Sequence, residues 1–237
     1  MRTMIRQIDR FSKRLPLAVA SGSLALFLLL TALVLRGVTD TPDRRLSRAI
    51  ERADAPWLTL LLDASSAAAM PLMLSLAIPI GLLLLRRRYR PALLFSLSAV
   101  GIAALNLALK LALHHNPPGG GSGRPIDWRT SPLAIAEQIS NAYSYPSGHV
   151  AATVVALGLW LGWLWPRIPQ RLWRTLLIAA IGSAASIAYS RVYLGHHVAV
   201  DTLGGGLLGV TWLAGTLVVG MRGRGCRPPP QRNQHLR

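Results

Sequence analysis

Six apolar runs, divided by short polar or basic segments, leave this chain few folds to choose from. In hydrocarbon every backbone N–H and C=O must find its partner within the segment, so runs of about spanning length become helices. The first lies at Leu15 to Leu35, and the second near Ser66 to Leu85, with the stretch from Trp57 laid along the interface. Kinks are expected in it at Pro71 and Pro79. The third run is Pro91 to Leu113, the fourth ends at Trp165, the fifth is Thr175 to Tyr189 and the sixth is His197 to Val219. A cleaved signal peptide competes for the first run. That run is long for a signal peptide and ends in Leu35-Arg36-Gly37-Val38-Thr39-Asp40, which lacks a small-x-small cleavage site.

The expected architecture is all-α: a polytopic bundle of six transmembrane helices, with a basic segment 1–14, a membrane domain 15–220 and a basic tail 221–237 expected to be disordered. Composition agrees. Few soluble domains are 51% hydrophobic with mean hydropathy +0.38 and still carry a formal charge of +17 over 237 residues. A pI near 11.7 also suits a nucleic-acid binder. The basic residues, however, fall in short clusters between apolar runs with no nucleic-acid fold signature, so no nucleic-acid partner is expected. The single cysteine, Cys226, excludes an internal disulfide framework and a multi-cysteine metal cluster.

Charge sets the expected orientation. Residues 1–14, the turn Arg86 to Arg90, the turn Arg167 to Arg174 and the tail hold 17 of the 26 basic residues and one acid, Asp9. Cationic short loops stay cytoplasmic, so both termini are expected inside. Between Arg36 and Pro56 the charges nearly balance, as suits a short interfacial helix outside the membrane. The loop His114 to Tyr145 is the longest polar segment, and Pro117-Pro118-Gly119-Gly120-Gly121-Ser122-Gly123 within it cannot hold one conformation firmly.

On that orientation the candidate reactive groups share the outer side. Ionisable residues at such depth cost several kcal/mol unless they have a function. In Ser190 to Asp201, His197 and Asp201 are spaced to share a helix face. The carboxylate can then hold the far imidazole N–H and fix its tautomer, as an oriented nucleophile or base requires. Arg191, with a planar fork of donors, suits a phosphate. Pro146-Ser147-Gly148-His149 opens the fourth run, where unpaired helix N–H groups favour an anion. Gly148 allows close approach, Ser147 adds a hydroxyl donor and His149 a proton donor. The plainer alternative is that Ser147 caps the helix beside an interfacial histidine. A metal site built from His114, His115, His149, His197 and Asp201 is disfavoured, because Arg191 and Lys110 would repel the cation.

These motifs resemble the type 2 phosphatidic acid phosphatase (PAP2) superfamily, whose pattern is K-x6-R-P, then P-S-G-H, then S-R-x5-H-x3-D. The second is complete at Pro146 to His149, and the third at Ser190-Arg191, His197 and Asp201. The resemblance implies that His197 is the nucleophile forming a phosphohistidine, that Asp201 orients it, and that His149 protonates the leaving group and then activates water. It implies that Lys110, Ser147, Gly148 and Arg191 stabilise the phosphoryl oxygens, with no metal or other cofactor. The first motif departs from the pattern: Pro117-Pro118 stands where Arg-Pro should follow Lys110, and Arg124-Pro125 occurs seven residues later. Arg124 is then either a displaced phosphate ligand or a solvated loop residue.

The function expected from the resemblance is hydrolysis of a lipid phosphate or pyrophosphate of the undecaprenyl pyrophosphate, phosphatidylglycerophosphate or phosphatidate type. The place expected is a bacterial inner membrane, with the site facing out and the bilayer delivering the substrate. A lipid phosphotransferase and a non-catalytic lipid-phosphate binder are the alternatives.

Overall fold

The computed structural model describes residues 2–51, 55–116 and 130–222, and helix is the only regular structure among them. The first apolar run forms α1 (Arg2–Leu35), which continues back through the basic flank. After Gly37, whose φ of +70 suits a residue without Cβ, comes α2 (Asp40–Glu51). It opens on Asp40 and Asp43 and carries Arg48 in its last turn, so its charges complement the helix dipole.

The second run is a 30-residue apolar stretch in three pieces, α3 (Pro56–Ala67), α4 (Ala69–Leu74) and α5 (Ala77–Leu85). The expected kinks appear as breaks at residue 68 and at residues 75–76. Pro71 and Pro79 carry no N–H for the carbonyls of Ala67 and Ser75 four residues earlier, so each interrupts the helix one turn upstream of itself. At 30 residues Pro56–Leu85 is longer than one upright crossing needs.

α6 (Tyr89–Leu113) ends at His114 in the left-handed conformation, φ 49. The polar loop that follows contains α7 (Pro132–Ala142), a helix that the sequence reading did not place. Its start signal is ordinary: Ser131 is the N-cap and accepts from the Ala134 N–H, with Pro132 in the first turn. The fourth, fifth and sixth runs form α8 (Gly148–Leu164), α9 (Gln170–Tyr193) and α10 (Ala199–Arg222).

Among the described residues five helical segments are long and apolar enough to cross a bilayer: Arg14–Leu35, Pro56–Leu85, Tyr89–Leu113, Gln170–Tyr193 and Ala199–Gly220. α8 is apolar but shorter, its 17 residues giving a length of about 26 Å. It is also the most enclosed, with Val150, Ala151, Val155, Ala156 and Leu159 all buried. The core gathers around it from α1, α6 and α10 through Phe27, Val34, Ile102, Val200 and Leu208, with Val198 just before α10. Leucines on the outward faces, such as Leu28, Leu60 and Leu97, are more than half exposed, as lipid-facing residues are.

Small residues and hydroxyls bring the helices close, as packing in hydrocarbon requires. Thr211 of α10 donates to Ser23 of α1 at 2.8 Å, and Trp212 donates to the Ser98 carbonyl of α6 at 2.9 Å. A Cβ at Gly209 would lie 2.9 Å from the Ala151 carbonyl oxygen, so α10 and α8 approach backbone to backbone there.

Candidate active site

The site lies where the Leu35, Pro56, Leu113, Gly148, Tyr193 and Ala199 ends of the helices converge. Its floor is the segment Tyr145 to Gly148, fixed from two sides. Asn106 of α6, one turn before Lys110, donates to the Pro146 carbonyl at 3.0 Å. From α10, Gly204 and Gly205 press on the same segment: a Cβ on Gly204 would stand 2.5 Å from the Tyr145 ring, and one on Gly205 would collide with the Ser147 carbonyl oxygen. Tyr145 is wholly buried and its hydroxyl bonds Thr31 of α1 at 2.9 Å.

These contacts give a paired prediction. Gly205→Ala should force α10 off the loop and lower stability by about 1–3 kcal/mol, an ordinary cost of overpacking. Gly206→Ala should be neutral or stabilising, because its Cβ would meet Val150 at an easy 3.9 Å. Thermal unfolding of the two variants in detergent compares them directly.

His197 does not share a helix with Asp201 as the spacing suggested; it precedes α10, while Asp201 lies in that helix's first turn. The pair forms nonetheless. His197 Nδ1 is 3.3 Å from Asp201 Oδ2, and the same oxygen accepts from the Val198 N–H at 3.3 Å. A side chain at the third helical position reaching back to the N-cap N–H is half of a capping box. One carboxylate therefore caps the helix and orients the imidazole. The Ser147 N–H donates to the Asp201 carbonyl at 3.0 Å, which ties the two motifs together.

Both groups of the pair are buried, His197 at 4% exposure and Asp201 at 0%. Burial holds the His197 pKa below its ordinary 6.5; the Asp201 bond and charge oppose this, and the Arg191 and Lys110 cations reinforce it. A depressed pKa means that the neutral ring is favoured in the folded state. The resulting stability is present above pH 6.5 and is lost as pH falls through the lower folded value. The acid limb of kcat/KM that belongs to His197 should likewise lie below 6.5, and a pH–rate profile checks this.

Arg191, at the end of α9, donates through Nη1 to the Ser66 hydroxyl of α3 at 3.1 Å. Ser66 is itself buried, at 5% exposure, and sits just before the break at residue 68. Lys110 is 2% exposed and gives two of its donors to the carbonyls of Ser140 at 3.1 Å and Tyr143 at 2.6 Å. It thus anchors the end of α7 and the segment leading to the Pro146 motif. It also feels the charges of Asp201 and Arg191, so it belongs to the same cluster. His149 is exposed, and lies within electrostatic reach of Arg191, His197, Lys110 and His196.

Ser147 takes the N-cap position of α8 but makes no side-chain cap bond. Its hydroxyl, Arg191 Nε and Asp201 Oδ1 are buried without a hydrogen-bond partner among the described residues. A buried unpaired polar group costs about 1–3 kcal/mol, and the two unpaired donors Ser147 Oγ and Arg191 Nε have the capacity to bond an anion. Gly148 has Asn106 Oδ1 against it, where a Cβ would come within 2.8 Å, so its small size also serves loop packing. Arg124 lies outside the described residues.

Lys110, Ser147, Gly148, His149, Arg191, His197 and Asp201 are therefore brought to one end of the bundle. Sequence reasoning missed Asn106, Ser66, Gly204 and Gly205. Asn106 had a signal, being the polar residue one turn before Lys110 in an apolar run, and so did Gly204-Gly205-Gly206, a glycine run directly after Asp201. Ser66 had none.

Comparison with known proteins follows these residues. The chain is similar to an undecaprenyl-diphosphatase of Sulfolobus acidocaldarius, 36% identical over 91 residues, which is 38% of this chain and 39% of that protein. The match thus spans about two fifths of the relative's length. In fold the chain is similar to a transmembrane PAP2-type phosphatidylglycerolphosphate phosphatase from Bacillus subtilis, with a TM-score of 0.69 at 22% identity, covering 90% of this chain and 100% of that one. The sequence model of the PAP2 superfamily matches residues 92–223, which run from the first turn of α6 through α10 and hold each residue of the cluster described above except Ser66 and Thr31. With over half its length matched and its ionisable cluster inside the match, the chain belongs to the PAP2 superfamily of multi-pass membrane proteins.

Proposed function

We propose that the protein hydrolyses a lipid phosphate or pyrophosphate through a phosphohistidine on His197. The observation that carries this reading is the engaged Nδ1 of His197, held by Asp201 in a buried site beside Arg191 and Lys110. That engagement leaves Nε2 to attack phosphorus. The N–P bond forms as the bond to the lipid oxygen breaks, with His149 giving its proton to the leaving oxygen. Water then attacks the phosphohistidine, His149 takes its proton, the N–P bond breaks and phosphate departs.

Cationic donors in a site of low dielectric stabilise the charge on the equatorial oxygens throughout, which is most of what phosphoryl transfer demands. Ser147 Oγ and Arg191 Nε are buried donors with that capacity. The exposure of His149 suits a residue that must exchange protons with water in each cycle. A lipid substrate fits a site at the helix ends of a membrane bundle, which lateral diffusion can reach.

The names of the two similar proteins, an undecaprenyl-diphosphatase and a phosphatidylglycerolphosphate phosphatase, direct the choice of substrates. We also propose that α8 is a sixth crossing and that the basic turns Arg86 to Arg90 and Arg167 to Arg174 face the cytoplasm of a bacterial inner membrane, with the site on the opposite side.

The test is phosphate release from purified undecaprenyl pyrophosphate, phosphatidylglycerophosphate and phosphatidate, with and without EDTA. Turnover of at least one, undiminished by chelator, is expected. Transfer of the phosphoryl group only when an acceptor lipid is present would identify a phosphotransferase, and absence of turnover would leave a binder.

Arg124 is resolved by comparison with Lys110. A displaced phosphate ligand at Arg124 would make Arg124→Ala cost on the order of 1.5–3 kcal/mol, roughly 10- to 150-fold in kcat/KM. Lys110→Ala should impair the enzyme in either case. A change of less than about twofold on Arg124→Ala marks a solvated loop residue.

A further inference from the structure

The N-terminus of α10 carries Asp201 and is preceded by His197, so its placement sets the geometry of the pair. Its first N–H groups need partners that the helix itself cannot supply. Two come from a helix some 150 residues away in the chain: the Val200 N–H donates to Asp43 Oδ1 at 3.1 Å, and the Ala199 N–H to Ser47 Oγ at 3.3 Å. Both acceptors lie on α2, one turn apart.

α2 is built unusually for this role. A surface helix ordinarily buries an apolar stripe. Here Asp43 and Ser47 are the buried residues, at 9% and 2% exposure, with Ile50 half-buried below them, while Leu46 is 53% exposed and Arg44, Arg45 and Arg48 are exposed. The face that α2 turns inward is polar and matches the open end of α10. The Asp43 carboxyl is also close enough to feel the Asp201 charge, and burial raises its pKa above the ordinary carboxylate value.

We infer that α2 is a strap that positions the catalytic pair: Asp43 and Ser47 cap α10 from outside and fix where His197 and Asp201 stand relative to Ser147 and Arg191. Asp43 is on this account a positioning residue that acts through the helix end and does not touch substrate. The inference rests on the reading of His197 as the phosphoryl acceptor, and it lies outside residues 92–223, the part of the chain that the superfamily model matches.

The test uses full-length protein in detergent with whichever lipid phosphate it turns over, and measures kcat, KM and thermal midpoint for Asp43→Ala, Asp43→Asn, Ser47→Ala and Leu46→Ala. Misplacement of a reacting group by about 1 Å costs on the order of 10²-fold, so Asp43→Ala should lower kcat by roughly that factor with KM little changed. Asp43→Asn keeps an acceptor oxygen for the Val200 N–H and should recover most of kcat. Ser47→Ala should lower kcat several-fold at unchanged KM, and Leu46→Ala, on the exposed face, should leave it alone.

Normal kcat in folded Asp43→Ala and Ser47→Ala would overturn the inference. So would losses that track the thermal midpoint with Asn no better than Ala. Should Asp43→Ala not fold, Ser47→Ala and Asp43→Asn carry the same comparison. His197→Ala, run in parallel, separates the two claims: active His197→Ala sinks the phosphohistidine, whereas inactive His197→Ala beside normal α2 variants sinks only the strap.

Discussion

His197→Ala should abolish turnover, and Asp201→Asn should slow it by roughly the 10²–10⁴-fold typical of lost acid–base assistance while substrate binding survives. The two differ because the residues do different work. On the proposed mechanism His197 supplies the atom that bonds to phosphorus. Asp201 holds the Nδ1 side of the ring at 3.3 Å and the Val198 N–H at the same distance, so Asn can still accept from one partner. The amide lacks the charge that stabilises an imidazolium and can present the wrong hydrogen-bonding face to the ring. kcat should therefore fall with little change in KM, and steady-state kinetics on purified protein make the distinction. Near-normal turnover in His197→Ala would refute covalent catalysis.

Arg191→Ala is expected to have the second largest effect, roughly 10- to 150-fold in kcat/KM, from loss of charge-assisted hydrogen bonds worth on the order of 1.5–3 kcal/mol. Arg191 Nη1 is already committed to Ser66, and Nε is buried without a partner, so the guanidinium is held with one donor in reserve. Arg191→Lys keeps the charge but loses the planar fork and should fall between the two. Ser66→Ala removes only the anchor. The bond has a cationic donor, of the class worth on the order of 1.5–3 kcal/mol, but the variant keeps the Arg191 charge at the site, so a loss smaller than that of Arg191→Ala is expected. If Arg191 serves only to tie α9 to α3, Arg191→Ala will lower the thermal midpoint and leave kcat/KM unchanged.

Much of this was legible in the chain because the strongest signals are local. Apolar runs and the two complete motifs placed the helices and the cluster of His149, Arg191, His197 and Asp201, since length, hydropathy and spacing are read without knowing what packs against what. Proline positions predicted the breaks in the second run, displaced one turn upstream because each proline lacks the N–H that would close the regular helix bond there.

What stayed hidden depends on contacts between distant segments. Ser66 looks like any hydroxyl in an apolar run until α3 is laid against α9. Asp43 and Ser47 look like the solvated face of a charged helix, since nothing within α2 reveals that the end of α10 covers them. The role of Lys110 was likewise only half visible: its charge suggested a phosphate ligand, whereas its bonds to the Ser140 and Tyr143 carbonyls add the task of holding the loop. α7 was missed for a different reason. The glycine-rich segment beside it dominated the reading of the loop, although Ser131-Pro132 is a sound start signal.

The most direct test of the account is a rapid-quench experiment with a lipid phosphate labelled in its terminal phosphoryl group. Label should appear within one turnover as an acid-labile, base-stable adduct on the peptide carrying His197, and should pass to inorganic phosphate as water is admitted. Continued release of labelled phosphate with no adduct at His197, or with the label on another residue, would contradict it.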